Sequence, residues 1–491
     1  MSYRPTLAAV LAVALLTPVS LLAPAQAAET PLRSGAQLSA NVAQTVAGER
    51  VTFTAKPPTS KKYVRLSAKQ KRKARLVLQR RDGATWRTVA SKKVAKKVVY
   101  STSVPTSATV AVRYRTRAMV GRKAYPAGAL RLPVVAQSVA AVPDTLDADS
   151  AQSYAVTTTP ARAGRSVVLE RYVDGAWSTV SSATTTAGGT AALAAPAVGY
   201  PAWYRVTAGA WNGIPATSAA PVVTSLSRTP TEIAHRAGAD LAPEQTLAAL
   251  DASLAAGATA MEIDVQLTSD GVPVILHDAG LARTTNVEDV FPARAGDPLG
   301  TFTWAEVQQL DAGSWKGPQW AGEKIPSLDQ WLTRLNGRAH LVLEVKFWPN
   351  NIGSPAQQTA LRQMLDEQLD TGLLGDLAEA GTLTVSSFNH GFLEPFALAH
   401  PEVPVGALAA APPSGSALVA TAVWAEEVHS NVTVTSKATT DAVRAAGMTT
   451  SVWTILTHAD YRRALASHAE RIITDHPGRL AEVLAPPAPP D

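Results

Sequence analysis

The alternation of hydrophobic and polar positions changes character once along this chain. As far as Ser225, apolar and polar residues alternate in short runs: Val51-Thr52-Phe53-Thr54, Arg75 to Gln79, Trp86 to Ala90 and Thr109 to Arg115. Alternation of this kind, rich in Val, Thr, Tyr and Trp, predicts strands, because successive side chains leave a strand on opposite faces. Asp82-Gly83 between two such runs predicts a hairpin turn. From Glu232 onward β-like and helical runs take turns. The β-like ones are Ile233 to Ala237, Met261 to Leu267, Val272 to His277, Leu341 to Phe347, Leu383 to Phe388, Val405 to Leu408, Thr450 to Leu456 and Arg471 to Thr474. Leu247 to Ala256, Ala356 to Leu369, Thr439 to Ala446 and Tyr461 to Ala466 have helical spacing. Strand–helix alternation over ~250 residues predicts an α/β domain closed as a (β/α)₈ barrel.

The first half repeats itself. Leu76-Val77-Leu78-Gln79-Arg80 and Trp86-Arg87-Thr88-Val89 resemble Val167-Val168-Leu169-Glu170-Arg171 and Trp177-Ser178-Thr179-Val180. Val112-Arg113-Tyr114-Arg115 resembles Trp203-Tyr204-Arg205-Val206. A period of about 90 residues suits a small β-sandwich, so this all-β half reads as two tandem immunoglobulin-like modules with Pro143 and Asp144 at their junction. The first residues have the form of a secretory signal: Arg4, an apolar stretch from Leu7 to Leu22, then Ala25-Gln26-Ala27. The predicted order is a signal peptide at 1–27, a basic β-sandwich at 28–140, a second at 141–226, the barrel at 230–482 and a Pro-rich, irregular tail at 483–491.

Charge and cysteine content refine this picture. The net charge is only +6, yet about twenty Lys and Arg fall between Lys56 and Lys123 with Asp82 as the lone acid. The remainder is therefore net acidic, and every histidine lies after residue 230. The basic module points to an anionic partner, a wall polymer of the teichoic-acid kind or an anionic lipid surface. No basic and aromatic array of a nucleic-acid reader accompanies it, so nucleic acid is not expected. The absence of Cys excludes thiol catalysis and cysteinyl metal sites, and it agrees with an exported, extracellular or wall-associated protein whose domains need no disulfides.

Candidate chemistry gathers where strands of the barrel would end, the face on which barrel sites form. His235-Arg236 closes one run and His277-Asp278 another. Glu262 with Asp264, and Glu344 with Lys346, are i, i+2 pairs that share a strand face. Several inward carboxylates repel one another unless a cation or a proton intervenes. Hard oxygen ligands suit Ca²⁺ or Mg²⁺, which leaves the two histidines free for proton transfer. Arg236 and Lys346 would neutralise phosphate charge.

These residues resemble the glycerophosphodiester phosphodiesterase family from about Glu232 to Leu480. The resemblance is carried by His235-Arg236-Ala237-Gly238 with Pro243-Glu244-Gln245-Thr246, and by Glu262-Ile263-Asp264-Val265-Gln266-Leu267-Thr268-Ser269-Asp270-Gly271. It continues in Val274-Ile275-Leu276-His277-Asp278, Leu281-Ala282-Arg283-Thr284-Thr285, Glu344-Val345-Lys346, Ser387-Phe388, Val452-Trp453-Thr454 and Thr474-Asp475-His476-Pro477. It implies one divalent cation, Ca²⁺ or Mg²⁺, on Glu262, Asp264 and Glu344, with His235 and His277 as general acid and base. It further implies phosphate binding by Arg236 and Lys346, a pocket lined by Phe388 and Trp453, and hydrolysis of glycerophosphodiesters to glycerol 3-phosphate and an alcohol. The segment from Asn286 to Pro326 would be an insertion after the third strand that shapes the entrance. Gln245 stands where the family has Asn, so a shifted hydrogen bond is expected there. Two other readings have distinct signatures. A sphingomyelinase D-like phospholipase shares the paired histidines but not the Val-Trp-Thr and Thr-Asp-x-Pro segments. A wall-binding surface protein with a vestigial barrel would have lost at least one of His235, His277, Glu262, Asp264 and Glu344, all of which are present.

Overall fold

The computed structural model describes residues 37–347 and 353–489. The expected signal peptide at 1–27 and the last two residues of the tail lie outside the described residues. The first module has seven strands: β1 (Leu38–Ala40), β2 (Arg50–Ala55), β3 (Arg75–Asp82), β4 (Thr85–Lys93), β5 (Val98–Ser103), β6 (Ala111–Val120) and β7 (Lys123–Pro133). They form two antiparallel sheets, β1-β2-β5 and β4-β3-β6-β7. Alternate residues turn inward, and Phe53, Leu76, Leu78, Tyr100 and Tyr114 fill the core between the sheets. Gly83 takes the left-handed conformation that the predicted β3–β4 turn requires. Two short helices, Lys61–Val64 and Ala68–Arg72, join β2 to β3.

The second module repeats that plan with β8 (Ser138–Pro143), β9 (Gln152–Thr159), β10 (Ser166–Val173), β11 (Ala176–Thr184), β12 (Thr190–Ala195), β13 (Trp203–Ala208), β14 (Thr217–Ser218) and β15 (Val222–Val223). Its sheets run β8-β9-β12 and β11-β10-β13-β14, with β15 also on β13. Even the bulge recurs, between Leu78 and Gln79 in β3 and between Leu169 and Glu170 in β10. The junction lies earlier than expected. Residues up to Pro143 pair with β9 and so belong to the second module. Pro143 ends an edge strand, where a missing N–H costs no ladder bond.

Nine strands follow: β16 (Thr231–Ala234), β17 (Ala260–Leu267), β18 (Pro273–Ile275), β19 (His340–Val345), β20 (Leu383–Ser387), β21 (Val405–Ala409), β22 (Glu427–Asn431), β23 (Thr449–Ile455) and β24 (Arg471–Thr474). All except β18 are parallel, and β16 closes the ring by pairing with both β17 and β24. This closed eight-stranded parallel ring is a TIM barrel. Thr246, Ser327, Ser436 and Thr457 cap the starts of outer helices by accepting a backbone N–H.

Two expectations for the ring need correction. The Val272–His277 run is not a barrel strand: it folds back antiparallel on β17, with Ile275 opposite Val265. The Asp270-Gly271 turn reverses the chain there, with Gly271 at φ 82°. The insertion that follows therefore comes after the second barrel strand, not the third. It has its own small core of Leu281, Val287, Leu299, Phe302 and Leu310. The strand absent from the sequence reading is β22, whose residues Glu427, His429 and Ser430 are buried despite being polar. Glu427 and His429 find partners inside the ring, and Ser430 shares a hydrogen bond with Thr435 at 2.8 Å. Arg471 Nη1 lies 2.6 Å from Glu427 Oε1, and His429 Nε2 lies 2.9 Å from Glu427 Oε2. His340 Nε2 meets Thr384 Oγ1 at 3.0 Å. Glu427, His340 and Arg471 open their strands, so this network plugs the end of the barrel opposite the mouth.

The second module docks at that closed end. Arg228 donates to both carboxylate oxygens of Asp149, at 2.9 and 3.1 Å, to Gly199 O at 2.9 Å and to Leu465 O. His468 Nε2 is 3.1 Å from Asp149 Oδ1. Leu465 and His468 lie at the end of helix His458–Ala466 and in its turn to β24, which is the barrel's lower rim. The Pro-rich tail is drawn into the contact, since Trp203 Nε1 donates to Pro486 O at 3.2 Å. The first module joins the second through Arg162 on Glu49 (2.7 Å) and reciprocal bonds between Arg50 and Asn212.

Candidate active site

Parallel pairing places the acidic residues together. Asp264 on β17 is opposite Glu344 on β19, with Glu262 two residues earlier on the same face. One oxygen from each of the three carboxylates lies within 4.8 Å of the others, and all three side chains are buried. Lys346 Nζ sits 2.6 Å from Glu344 Oε1 and 3.0 Å from Asp264 Oδ1. Burial pushes the Glu262 carboxyl well above its usual range, and its neighbours Asp264 and Glu344 push it further. Burial likewise raises Glu344 to about 7, against the pull of Lys346. At Asp264 burial is outweighed by the influence of Lys346, His277 and Arg236, which hold it at about 2. Among the described residues Lys346 is the only Lys or Arg at ion-pair distance from the three carboxylates, which leaves the cluster short of directly paired positive charge, and Asp264 Oδ1 accepts no well-directed hydrogen bond. An all-oxygen, buried, charge-deficient trio fits a hard divalent cation.

The histidines flank this trio, each fixed by a carboxylate. His235 Nδ1 lies 2.5 Å from Asp475 Oδ1, which turns Nε2 towards Glu262 at 4.0 Å. His277 Nδ1 lies 2.6 Å from Asp278 Oδ1. A carboxylate on one ring nitrogen sets the tautomer and leaves the other free for proton transfer. Arg236 N donates to Glu262 Oε2 at 2.9 Å. To do so the chain turns sharply after β16, with Arg236, Ala237 and Gly238 all at positive φ. A side chain at Gly238 would come within 2.1 Å of Ser253 Oγ, so that turn closes only with glycine.

A chain of charges links the sides of the site. Arg236 Nη1 donates to Glu244 (2.7 Å), Arg283 also donates to Glu244 (2.7 and 2.8 Å), and Arg283 Nε donates to Asp278 (2.5 Å). Gln245 donates its amide to Asp264 Oδ2 and accepts from Asp264 N at 3.3 Å. The expected hydrogen bond of this residue thus runs to one of the carboxylates of the trio. Phe388 and Trp453 meet edge to face, with ring centroids 5.8 Å apart, on the wall of the cavity that holds His235, His277, Glu344 and Lys346. The structure therefore brings His235, Arg236, Glu262, His277, Glu344, Lys346, Phe388 and Trp453 to one cavity, while Asp264 is fully buried beside Glu344 and Lys346. Sequence reasoning gave no role to Asp475, Glu244 or Arg283, although each stands inside a quoted motif. It missed His429 on the cavity floor, where no motif marks it.

The model of the glycerophosphoryl diester phosphodiesterase family matches residues 235–479. YhdW of Bacillus subtilis, which carries the family's name, is 30% identical over 249 residues, covering 50% of this chain and 94% of its own. The chain belongs to this family. It is accordingly a glycerophosphodiester phosphodiesterase, and its catalytic domain is the barrel. A second relative, the mouse glycerophosphoinositol inositolphosphodiesterase GDPD2, is 44% identical over 101 residues, 20% of this chain and 19% of that one. Among solved structures, a phosphodiesterase of Oleispira antarctica in complex with sn-glycerol-3-phosphate aligns with a TM-score of 0.45 at 28% identity, covering 52% of this chain and 97% of that one.

Proposed function

We propose that this enzyme hydrolyses glycerophosphodiesters to glycerol 3-phosphate and an alcohol, with one divalent cation, Ca²⁺ or Mg²⁺, and with His235 and His277 as the acid–base pair. The observation that carries the reading is the placement of two carboxylate-anchored histidines on either side of a buried, charge-deficient trio of acids. Glu262, Asp264 and Glu344 would hold the cation, whose chemistry is to polarise a phosphoryl oxygen and offset its charge. Arg236 and Lys346 supply the protein's own positive charge to the phosphate. One histidine takes a proton from the attacking hydroxyl while the new P–O bond forms. The other gives a proton to the alcohol oxygen as its P–O bond breaks. The attacking hydroxyl belongs to water or to the glycerol itself. In the second route a cyclic phosphate forms first and water then opens it. Phe388 and Trp453 pack against the departing alcohol.

Several features outside the cavity join this reading. The repeated two-sheet plan of the first half agrees with immunoglobulin-like modules. The apolar stretch Leu7 to Leu22 and Ala25-Gln26-Ala27 support export, which amino-terminal sequencing of protein recovered from culture medium tests. The enzymatic test is release of glycerol 3-phosphate from glycerophosphocholine, glycerophosphoethanolamine and glycerophosphoinositol, with Ca²⁺, with Mg²⁺ and with a chelator. Release that the chelator abolishes is the expected result. His277→Ala lowers kcat by about 10²–10⁴; a near-normal rate in this variant overturns the two-histidine assignment.

A further inference from the structure

The positive charge of the first module is not spread over it. Strand register places three connections at one end of the sandwich. Arg75 opens β3 opposite Lys93, which closes β4, and opposite Met119 near the end of β6. Met119 in turn faces Ala124 at the start of β7, and Ala55 at the end of β2 faces Val98 at the start of β5. The β2–β3 connection, the β4–β5 connection and the β6–β7 turn therefore share that end. The first carries seven Lys and Arg between Lys61 and Lys73, the second Lys92, Lys93, Lys96 and Lys97, and the third Arg122 and Lys123. Not one of these forms a salt bridge among the described residues. The module's two described acids, Glu49 and Asp82, lie at the other end, where Glu49 holds Arg162 of the second module. The cationic end is thus the free tip, farthest along the chain of contacts from the barrel.

Apolar side chains stand among these cations. Val64, between Lys62 and Arg65 in sequence, is 56% exposed, and Val99 beside Lys97 is 42% exposed. We propose that this tip docks on an anionic lipid bilayer, with Lys and Arg on the headgroups and Val64 at the acyl boundary. Cations carried by three separate connections at the end of a sandwich suit a broad surface that all of them can meet together. A single phosphate polymer would instead call for a groove or a row of stacked aromatics, and the one aromatic of the short helices, Tyr63, is buried in the core. Exposed apolar residues within a basic patch add hydrophobic insertion to electrostatic attraction. No helix among the described residues is long and apolar enough to cross a membrane.

The test is co-sedimentation of the full chain with phosphatidylcholine vesicles, with and without about a third of phosphatidylglycerol. Wild type should pellet only with the anionic vesicles, and added salt should release it. The combined variant Lys61→Ser, Lys62→Ser, Lys96→Ser, Lys97→Ser should lose at least ~tenfold in partitioning. Val64→Asp should lose several-fold, and both variants should keep wild-type turnover of glycerophosphocholine, which shows that they fold. Equal pelleting with neutral and anionic vesicles overturns the proposal, as does unchanged binding by the fourfold variant. Binding to soluble long-chain polyphosphate that is indifferent to Val64→Asp, with no pelleting on vesicles, overturns it in favour of a polymer.

Discussion

His235 and His277 differ from the other histidines of the barrel in being tied by Nδ1 to a carboxylate while facing the cavity. Asp475 is a positioning residue under this geometry, acting on substrate only through His235. Asp475→Asn should reduce kcat by about 10²–10³ with little change in KM and should shift the pH profile, because the amide supports the wrong tautomer. An unchanged profile with a merely lowered melting temperature would assign it a structural role. Gly238→Ala tests the turn that carries Arg236. With φ at 95° and Ser253 Oγ in the path of the new methyl, it should cost about 1–3 kcal/mol in denaturant unfolding. At this scale the sequence was highly legible. Carboxylates at i, i+2 in a strand must share a face, so the sequence alone places Glu262 with Asp264. Asp475 is harder, since its partner His235 lies 240 positions away in sequence and nothing local announces the pairing.

Among the strands, β22 and β18 show where periodicity misleads. Hydrophobic pattern finds a strand by its apolar residues, and β22 buries Glu427, His429 and Ser430 instead. Its signal is hidden because its partners, Arg471 and Thr384, sit on other strands. β18 has the reverse fault: Val272 to Leu276 is apolar enough for a barrel strand, yet the preceding Asp270-Gly271 turn folds it back outside the ring. Counting runs alone therefore returned the right number of strands with one of them misplaced. The plug predicts a stability effect. Glu427→Ala strands Arg471 and His429 in the interior and should destabilise the barrel by about 3–5 kcal/mol. The same network sets an acid limit. Ionised Glu427 is held below its usual pKa after burial is outweighed by His429 and Arg471, so its contribution is present above the unfolded value and is lost as pH falls through the lower folded one. Burial also lowers His340; unfolded chains bind its proton first, so stability declines as pH drops below about 6.5. Urea titrations across pH should show that decline, and His340→Gln should flatten its upper part.

In the whole molecule, the second β module meets the barrel through polar contacts around Arg228, with Tyr200 and Leu226 packed against the barrel's apolar cluster. Arg228→Ala removes bonds to Asp149, Gly199 and Leu465 at once and should weaken the docking by about 1–3 kcal/mol. Faster limited proteolysis between residues 226 and 231, with unchanged turnover of a soluble diester, is the expected pattern. Unchanged proteolysis would mean that Arg228 does not hold the joint. The division into modules and barrel was legible from the change in periodicity, whereas their docking was not, because its residues lie in loops with no pattern of their own. Attachment at the lower rim sets the direction in which the enzyme looks. With the cationic tip on a bilayer, both modules and the depth of the barrel stand between that surface and the mouth. In that pose the catalytic cavity would face small diesters diffusing in the surrounding medium, out of reach of the phospholipids beneath the tip.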